Sequence, residues 1–305
     1  VKAQYAILDN SVAVIEMASA SGLPLVPLEK RDPSVTSSYG TGDLIKDAVK
    51  KGIREFIVGI GGSATNDAGL GMLRSLGFRF LDIAGNEIMF AKELDRVVTI
   101  DKSKMLKELN ECNFRVACDV NNPLCGPNGA TFVYGKQKGA DEEMIVDLDN
   151  KLNHFASVVE KESDKKLRDI EGAGAAGGLG FGFLAFLNAS LESGIRIILE
   201  QVDLKGKIQN ADFVITGEGK IDKQSSMGKV LSGIATVCKE QNIPCIALAG
   251  NCSEASENLH EVGVSAYFSI LNGPITLEVA MQEDVALELI RKKAEQIFRL
   301  IKIST

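Results

Sequence analysis

Where the apolar run 55–60 ends, the chain reads Gly59-Ile-Gly-Gly-Ser-Ala-Thr-Asn-Asp67. Gly61 and Gly62 free the backbone, and successive N–H groups stand beside the hydroxyls of Ser63 and Thr65 and the polar side chains of Asn66 and Asp67. Such a turn between a strand and a helix converges on an anion, a phosphate or a carboxylate. No Lys follows the last Gly, so the stretch is not the phosphate loop G-x-x-x-x-G-K-[ST]. A tight turn with a polar helix cap is the plainer explanation, but a bare turn does not require three glycines and three hydroxyl or amide residues together.

Three further stretches carry reactive or conformationally special residues. In Asp212-Phe-Val-Ile-Thr-Gly-Glu-Gly-Lys-Ile-Asp222, a strand ends at Thr216, and Gly217, Gly219 and the carboxylates Glu218 and Asp222 lie just beyond its carboxyl end. Open α/β sheets bind ligands at the carboxyl ends of their strands. Gln224, Ser225, Ser226, Gly228 and Lys229 then add donors and a cation, although a solvated polar loop would read the same way. Asp119 closes the apolar run 114–117 where a metal-ligating carboxylate would sit, and a simple Asx turn is the alternative. Gly172-Ala-Gly-Ala-Ala-Gly177 formally fits the dinucleotide fingerprint, but the charged stretch 165–171 precedes it instead of a buried strand, which speaks against a nicotinamide cofactor. The run from Gly174 through Gly177 and Gly178 is better suited to bringing a helix start close to another backbone or to a ligand.

Strand-end carboxylates, glycine cradles and only two histidines, His154 and His260, suggest chemistry governed by phosphate charge and a hard divalent cation such as Mg2+. An anion at one helix N-terminus gains roughly 0.3 to 2 kcal/mol, whereas enzymes lower barriers by about 8 to 23 kcal/mol. Phosphoryl transfer therefore needs several segments acting together.

These tips must be held by βα units. Residues 55–60, 212–216 and 244–249 read as strands, each leaving through Gly or Asn, with helical patterns at 70–76 and 228–240. Residues 6–8 and 12–16 flank Asp9-Asn10-Ser11, a hairpin. Helical patterns cover 142–155, with a charged continuation over 161–166, and 277–302, an amphipathic closing helix over a sheet. The expected organisation is a mixed α/β domain over 1–204 and parallel Rossmann-like α/β repeats over 205–305.

The chain has 305 residues, 45% hydrophobic and 25% charged, enough apolar material for one or two packed domains. With 34 basic against 41 acidic side chains the net charge is −7, and no basic cluster offsets it, so nucleic acid is a poor partner. No run approaches the roughly 18 apolar residues of a membrane span, and no signal peptide is visible at the start given. A soluble cytoplasmic protein is expected, with its six cysteines as reduced thiols because no C-x-x-C pair occurs. A homodimer is left open.

Six segments in a fixed order carry a resemblance: Ile60-Gly-Gly-Ser-Ala-Thr-Asn-Asp67, Cys118-Asp-Val-x-Asn-Pro-Leu124, Tyr134-Gly-x-Gln-Lys-Gly-Ala140, Gly172-Ala-Gly-Ala-Ala-Gly-Gly-Leu-Gly180, Ile215-Thr-Gly-Glu-Gly219 with Asp222, Gln224 and Gly228-Lys229, and Gly273-Pro-Ile-x-Leu277. Across nearly the whole chain this resembles type I glycerate kinase. The resemblance implies ATP- and Mg2+-dependent phosphorylation of D-glycerate, usually at the 2-hydroxyl. It also implies two α/β domains, one Rossmann-like and one inserted into it, with the active site in the cleft between them. On that pattern Gly61, Gly62, Ser63, Thr65 and Asn66 would hold phosphate or the substrate carboxylate, and Asp119 and Glu218 would orient Mg2+. Asp222 would position or deprotonate the attacking hydroxyl, and Lys229 would neutralise phosphoryl charge. The family's opening Asp-Ser-Phe-Lys and Asp-Gly-Gly-Glu-Gly motifs do not occur here, so the Rossmann-like part is expected to be incomplete and the chain impaired without that segment. The competing readings are a non-catalytic organic-acid sensor and, more remotely, a nicotinamide-dependent dehydrogenase.

Overall fold

Asp9 and Asn10 both adopt left-handed backbone (φ 46° and 57°), a geometry short polar side chains tolerate, and close a hairpin between β1 (Ala6–Leu8) and β2 (Val12–Glu16). This computed structural model describes residues 1–221, 230–253 and 258–304. The chain divides into two compact units, Val1–Gly194 and Ile195–Thr305.

In the first unit, β3 (Glu55–Gly59) is the expected strand at 55–60, followed by β4 (Arg79–Leu81), β5 (Thr99–Asp101), β6 (Asn113–Ala117) and β7 (Ser190–Glu192). The main sheet has the order β1-β2-β3-β6-β7, antiparallel at the hairpin and parallel thereafter, while β4 and β5 form a separate antiparallel pair. The mixed sheet inferred for this part is thus present. Its core is continuous: Phe56 and Phe114 stack across β3 and β6 with centroids 4.7 Å apart, and Phe183 packs on Phe114 from the helix Ala175–Phe186. Such aromatic pairs add about 0.5 to 1.5 kcal/mol beyond their burial. The helix foreseen at 142–155 continues to Ser163 and stops where Asp164 turns left-handed (φ 54°).

The register places the functional tips. Gly59 pairs with Ala117, and Ala117 pairs with Glu192, so three parallel strands end level. The segments that leave them, 60–67, 118–119 and 193–194, emerge along one edge of the sheet.

The second unit holds β8 (Val214–Ile221), β9 (Cys245–Cys252) and β10 (Val264–Ser269), all parallel, in the order β10-β9-β8. The helix Val230–Glu240 buries Leu231, Ala235 and Cys238. On the sequence, Gly217-Glu218-Gly219 was the turn after a strand; in the structure these residues remain inside β8, because pairing with β9 continues to Ile221 and Cys252. The closing helix also differs. It is two helices, Leu277–Ala280 and Glu283–Ser304, separated at residues 281–282, with Thr276 capping the first by accepting from Val279 N. Ile297 and Ile301 cover Ile246 and Leu248, so the expectation that this segment shields a sheet holds. Among the described residues no helix is long and apolar enough to cross a membrane.

Candidate functional site

The glycine turn after β3 has an exposed lip and a buried root. Gly61 and Gly62 are exposed, and Gly62 takes φ 73°, which glycine adopts without a Cβ penalty. A bridge fixes the lip to residues 21–23: Leu23 N donates to the Gly62 carbonyl at 2.8 Å, and Ala64 N donates to the Ser21 carbonyl at 3.0 Å. The N–H groups of Gly61, Gly62 and Ser63 donate to no acceptor among the described residues. Successive unengaged N–H groups at a strand's carboxyl end form an anion-binding concavity.

Below the lip, Ser63, Thr65, Asn66 and Asp67 are buried. Asp67, 1% exposed, accepts from Ser38 N and Oγ (2.9 Å each), Gly71 N (3.1 Å) and Gly69 N (3.1 Å). Burial pushes its carboxyl up, and those donors pull the other way. Its lone pairs therefore serve the fold, tying the turn to Ser38 and to the start of the helix Leu70–Ser75. Asn66 Nδ2 donates to Thr131 Oγ1 at 2.9 Å, but Thr65 Oγ1 and Asn66 Oδ1 have no partner among the described residues. Two unfilled polar atoms in a buried turn call for a reason, since each costs free energy where it stands.

Gly177 and Gly178, left-handed at φ 69° and 84°, press on this turn. A Cβ on Gly177 would lie 1.9 Å from the Thr65 carbonyl oxygen, and one on Gly178 would lie 2.9 Å from Ala68 Cα. Gly174 packs likewise on the Pro123 carbonyl, at 2.1 Å for the same construction. Of the two roles open to these glycines, close backbone approach is the one visible here. No strand leads directly into Gly172, and the space its following run faces is filled by protein backbone, so the nicotinamide reading loses its structural basis.

Asp119 is exposed on the same sheet edge as the turn, one strand away. Its Oδ1 accepts from Gly194 N at 2.9 Å and Ser193 Oγ at 3.2 Å, which orients the carboxylate.

In the second unit, Thr216, Gly217, Glu218 and Gly219 of β8 line a cavity of about 1030 Å³ with Gly250 and Asn251 of β9; Leu277, Met281 and Ile290 supply an apolar wall. That is the upper end of the size range for small-molecule pockets and is ample for a nucleotide. Asp222, Gln224 and Lys229 lie outside the described residues. Asp119 and Glu218 are hard oxygen donors, and Mg2+ is commonly held by one or two carboxylates plus substrate phosphates. Among the described residues no cluster of three or more metal-binding side chains occurs. In the first unit, Lys138 is buried against the glycine turn, where its Nζ donates to the Thr65 carbonyl, and the sequence did not suggest a role for it.

Comparison with known proteins gives the family. The model of the glycerate kinase family matches residues 1–302. The chain belongs to that family. As a glycerate kinase it is an enzyme that phosphorylates glycerate and uses ATP. It is 47% identical over 297 residues to the glycerate kinase of Bacillus subtilis (strain 168), covering 97% of this chain and 77% of that one. It is 49% identical over 275 residues to glycerate 2-kinase of Escherichia coli (strain K12), covering 90% and 72%. A crystal structure from Salmonella typhimurium LT2, assigned as a glycerate kinase 2, superposes with a TM-score of 0.86 at 42% identity, over 100% of this chain and 79% of that one.

Proposed function

We propose that this glycerate kinase transfers the γ-phosphoryl group of ATP to the 2-hydroxyl of D-glycerate, giving 2-phosphoglycerate and ADP with Mg2+ bound. The observation that carries the reading is the turn at Gly61, Gly62 and Ser63, exposed at its two glycines, whose three N–H groups donate to no acceptor among the described residues at the end of β3. A carboxylate the size of glycerate's fits such a concavity, whereas the larger cavity along β8 and β9 suits a nucleotide, with glycines toward the phosphates and Leu277, Met281 and Ile290 toward the base.

In the transfer, the substrate hydroxyl oxygen bonds to the γ-phosphorus while the bond from that phosphorus to the bridging oxygen of ADP breaks. The hydroxyl proton goes to a carboxylate, and Asp222 is assigned that part. Lys229 offsets charge on the transferring group. Glu218 and Asp119 are each assigned as a carboxylate for Mg2+, which would supply charge to offset that of the phosphate oxygens. Asp67, Gly177 and Gly178 hold the turn in shape, Gly174 packs the neighbouring segment at Pro123, and Thr216, Gly217 and Gly219 line the phosphate path, to which Gln224 is assigned as a further donor.

The test is ADP release coupled to NADH oxidation, with D- and L-glycerate and with and without Mg2+. D-Glycerate-dependent, Mg2+-dependent release is expected. Glycerate binding that ignores ATP and Mg2+, with no ADP formed, would instead favour an organic-acid sensor.

A further inference from the structure

Lys138 ends the short helical turn Lys136–Lys138 and is 2% exposed, an unusual place for an ammonium. Its backbone is pinned on both sides. Lys138 N donates to the Gly135 carbonyl at 3.0 Å, and Gly139, at φ 101°, lies so close to Arg31 that a Cβ would fall 2.2 Å from the Arg31 carbonyl oxygen. The side chain is thus delivered inward, and Nζ donates to the Thr65 carbonyl at 2.7 Å. The same carbonyl is the atom against which Gly177 packs, and Ala68 N donates to the Gly177 carbonyl at 3.0 Å. Thr65 is therefore gripped from two sides, by a cation and by a glycine backbone. Its hydroxyl and Asn66 Oδ1, immediately beside the gripped carbonyl, are buried side-chain oxygens with no hydrogen-bond partner among the described residues.

A buried ammonium is costly, and an apolar side chain of similar length would pack in its place at less expense. Burial drives the Lys138 ammonium down to about 7, opposed by the charge of Asp67, the charged group that acts on it. A group kept at that cost directly under an anion-binding lip has a use beyond packing.

We propose that Lys138 is a positioning residue of the glycerate site: by donating to the Thr65 carbonyl it fixes the 61–67 turn so that the N–H groups of Gly61, Gly62 and Ser63 and the unpartnered groups of Thr65 and Asn66 are set for the substrate anion. The inference rests on the assignment of that turn to glycerate.

Full-length protein carrying Lys138→Met is compared with the wild type in steady-state assays. The expected result is a rise of about tenfold or more in the KM for D-glycerate, with kcat and the KM for ATP changed by less than about twofold, because a loosened turn misplaces the anion without touching the nucleotide. An unchanged glycerate KM in the folded variant overturns the proposal, as does a uniform fall in kcat with both KM values unaltered. If the methionine variant does not fold, wild type and Lys138→Arg are measured from pH 6 to 8.5. The wild-type glycerate KM should climb above about pH 7, because the neutral amine that replaces the ammonium is a weaker donor to the Thr65 carbonyl, and the arginine variant, which stays charged, should be flat. A flat wild-type profile overturns the proposal. Wild-type protein with no glycerate-dependent turnover at all would mean that the functional assignment, and not the role of Lys138, has failed.

Discussion

Gly61→Ala separates the ligand's demands from those of the fold. A Cβ built on Gly61 meets nothing within 4 Å, and the residue's φ lies outside the left-handed region, so the unliganded structure accepts alanine without a shift. The expected effect on stability is within about 0.5 kcal/mol, with a slight gain because alanine restricts the unfolded chain. Binding should respond differently. A hydrogen bond to a charged group contributes about 1.5 to 3 kcal/mol, and a methyl group on the lip would cost one N–H···carboxylate contact. At about 1.36 kcal/mol per decade, the glycerate KM rises about 10- to 150-fold. The carboxylate does not react and is held alike in ground and transition states, so kcat and the KM for ATP should stay near wild type. The coupled ADP assay reads all three constants, and urea unfolding reads stability. Wild-type KM for glycerate in Gly61→Ala would refute the placement of the anion on this lip.

Three other outcomes follow from the same geometry. Gly177→Ala must open a 1.9 Å contact to at least 3.0 Å and hold alanine at φ 69°; overpacking of about 1 to 3 kcal/mol and left-handed strain of about 1 to 2 kcal/mol predict a loss of about 2 to 5 kcal/mol, and a urea midpoint near wild type would contradict it. Lys138 makes stability rise with pH. Below about 7 folded and unfolded chains both hold its proton and the cost of burial is fully present, whereas between about 7 and 10.5 the unfolded chain binds one proton more, a slope of about 1.4 kcal/mol per pH unit. Between pH 7 and 8, before the unfolded thiols ionise against folded Cys112, Cys125 and Cys245, raised to about 11, 12 and 12, wild type should gain about 1 kcal/mol relative to Lys138→Met, and parallel slopes would contradict this. Asp222→Asn should lower kcat by about 10² to 10⁴ with unchanged unfolding behaviour, and near wild-type turnover would remove Asp222 from proton transfer.

Elements whose signal is local were legible in the sequence. Asp9-Asn10 needs only its own backbone preference to close the hairpin, and the alternation of apolar strand and glycine exit is written within single βα units. The glycine run at 172–182 was legible as a site of close approach, but not the surface it approaches: the Thr65–Ala68 backbone lies more than 100 residues earlier and meets it only in the folded unit. Asp67 shows the same limit. A carboxylate at the end of a polar turn reads as a ligand contact, yet Ser38, from a distant segment, and the helix start at Gly69 and Gly71 occupy its oxygens. The strand end at β8 was misplaced because glycines argue for a turn, whereas pairing to β9 carries Gly217 and Gly219 through as extended backbone. Lys138 sits in a motif with two other lysine or glutamine neighbours, and nothing in its local pattern separates a buried lysine from a solvated one.

The most direct measurement is a crystal structure of the full-length protein with D-glycerate, Mg2+ and a non-hydrolysable ATP analogue. The account predicts the glycerate carboxylate on the N–H groups of Gly61, Gly62 and Ser63, and the nucleotide along Thr216–Gly219 and Gly250. Glycerate bound away from that lip, or a nucleotide seated on it, would contradict the account.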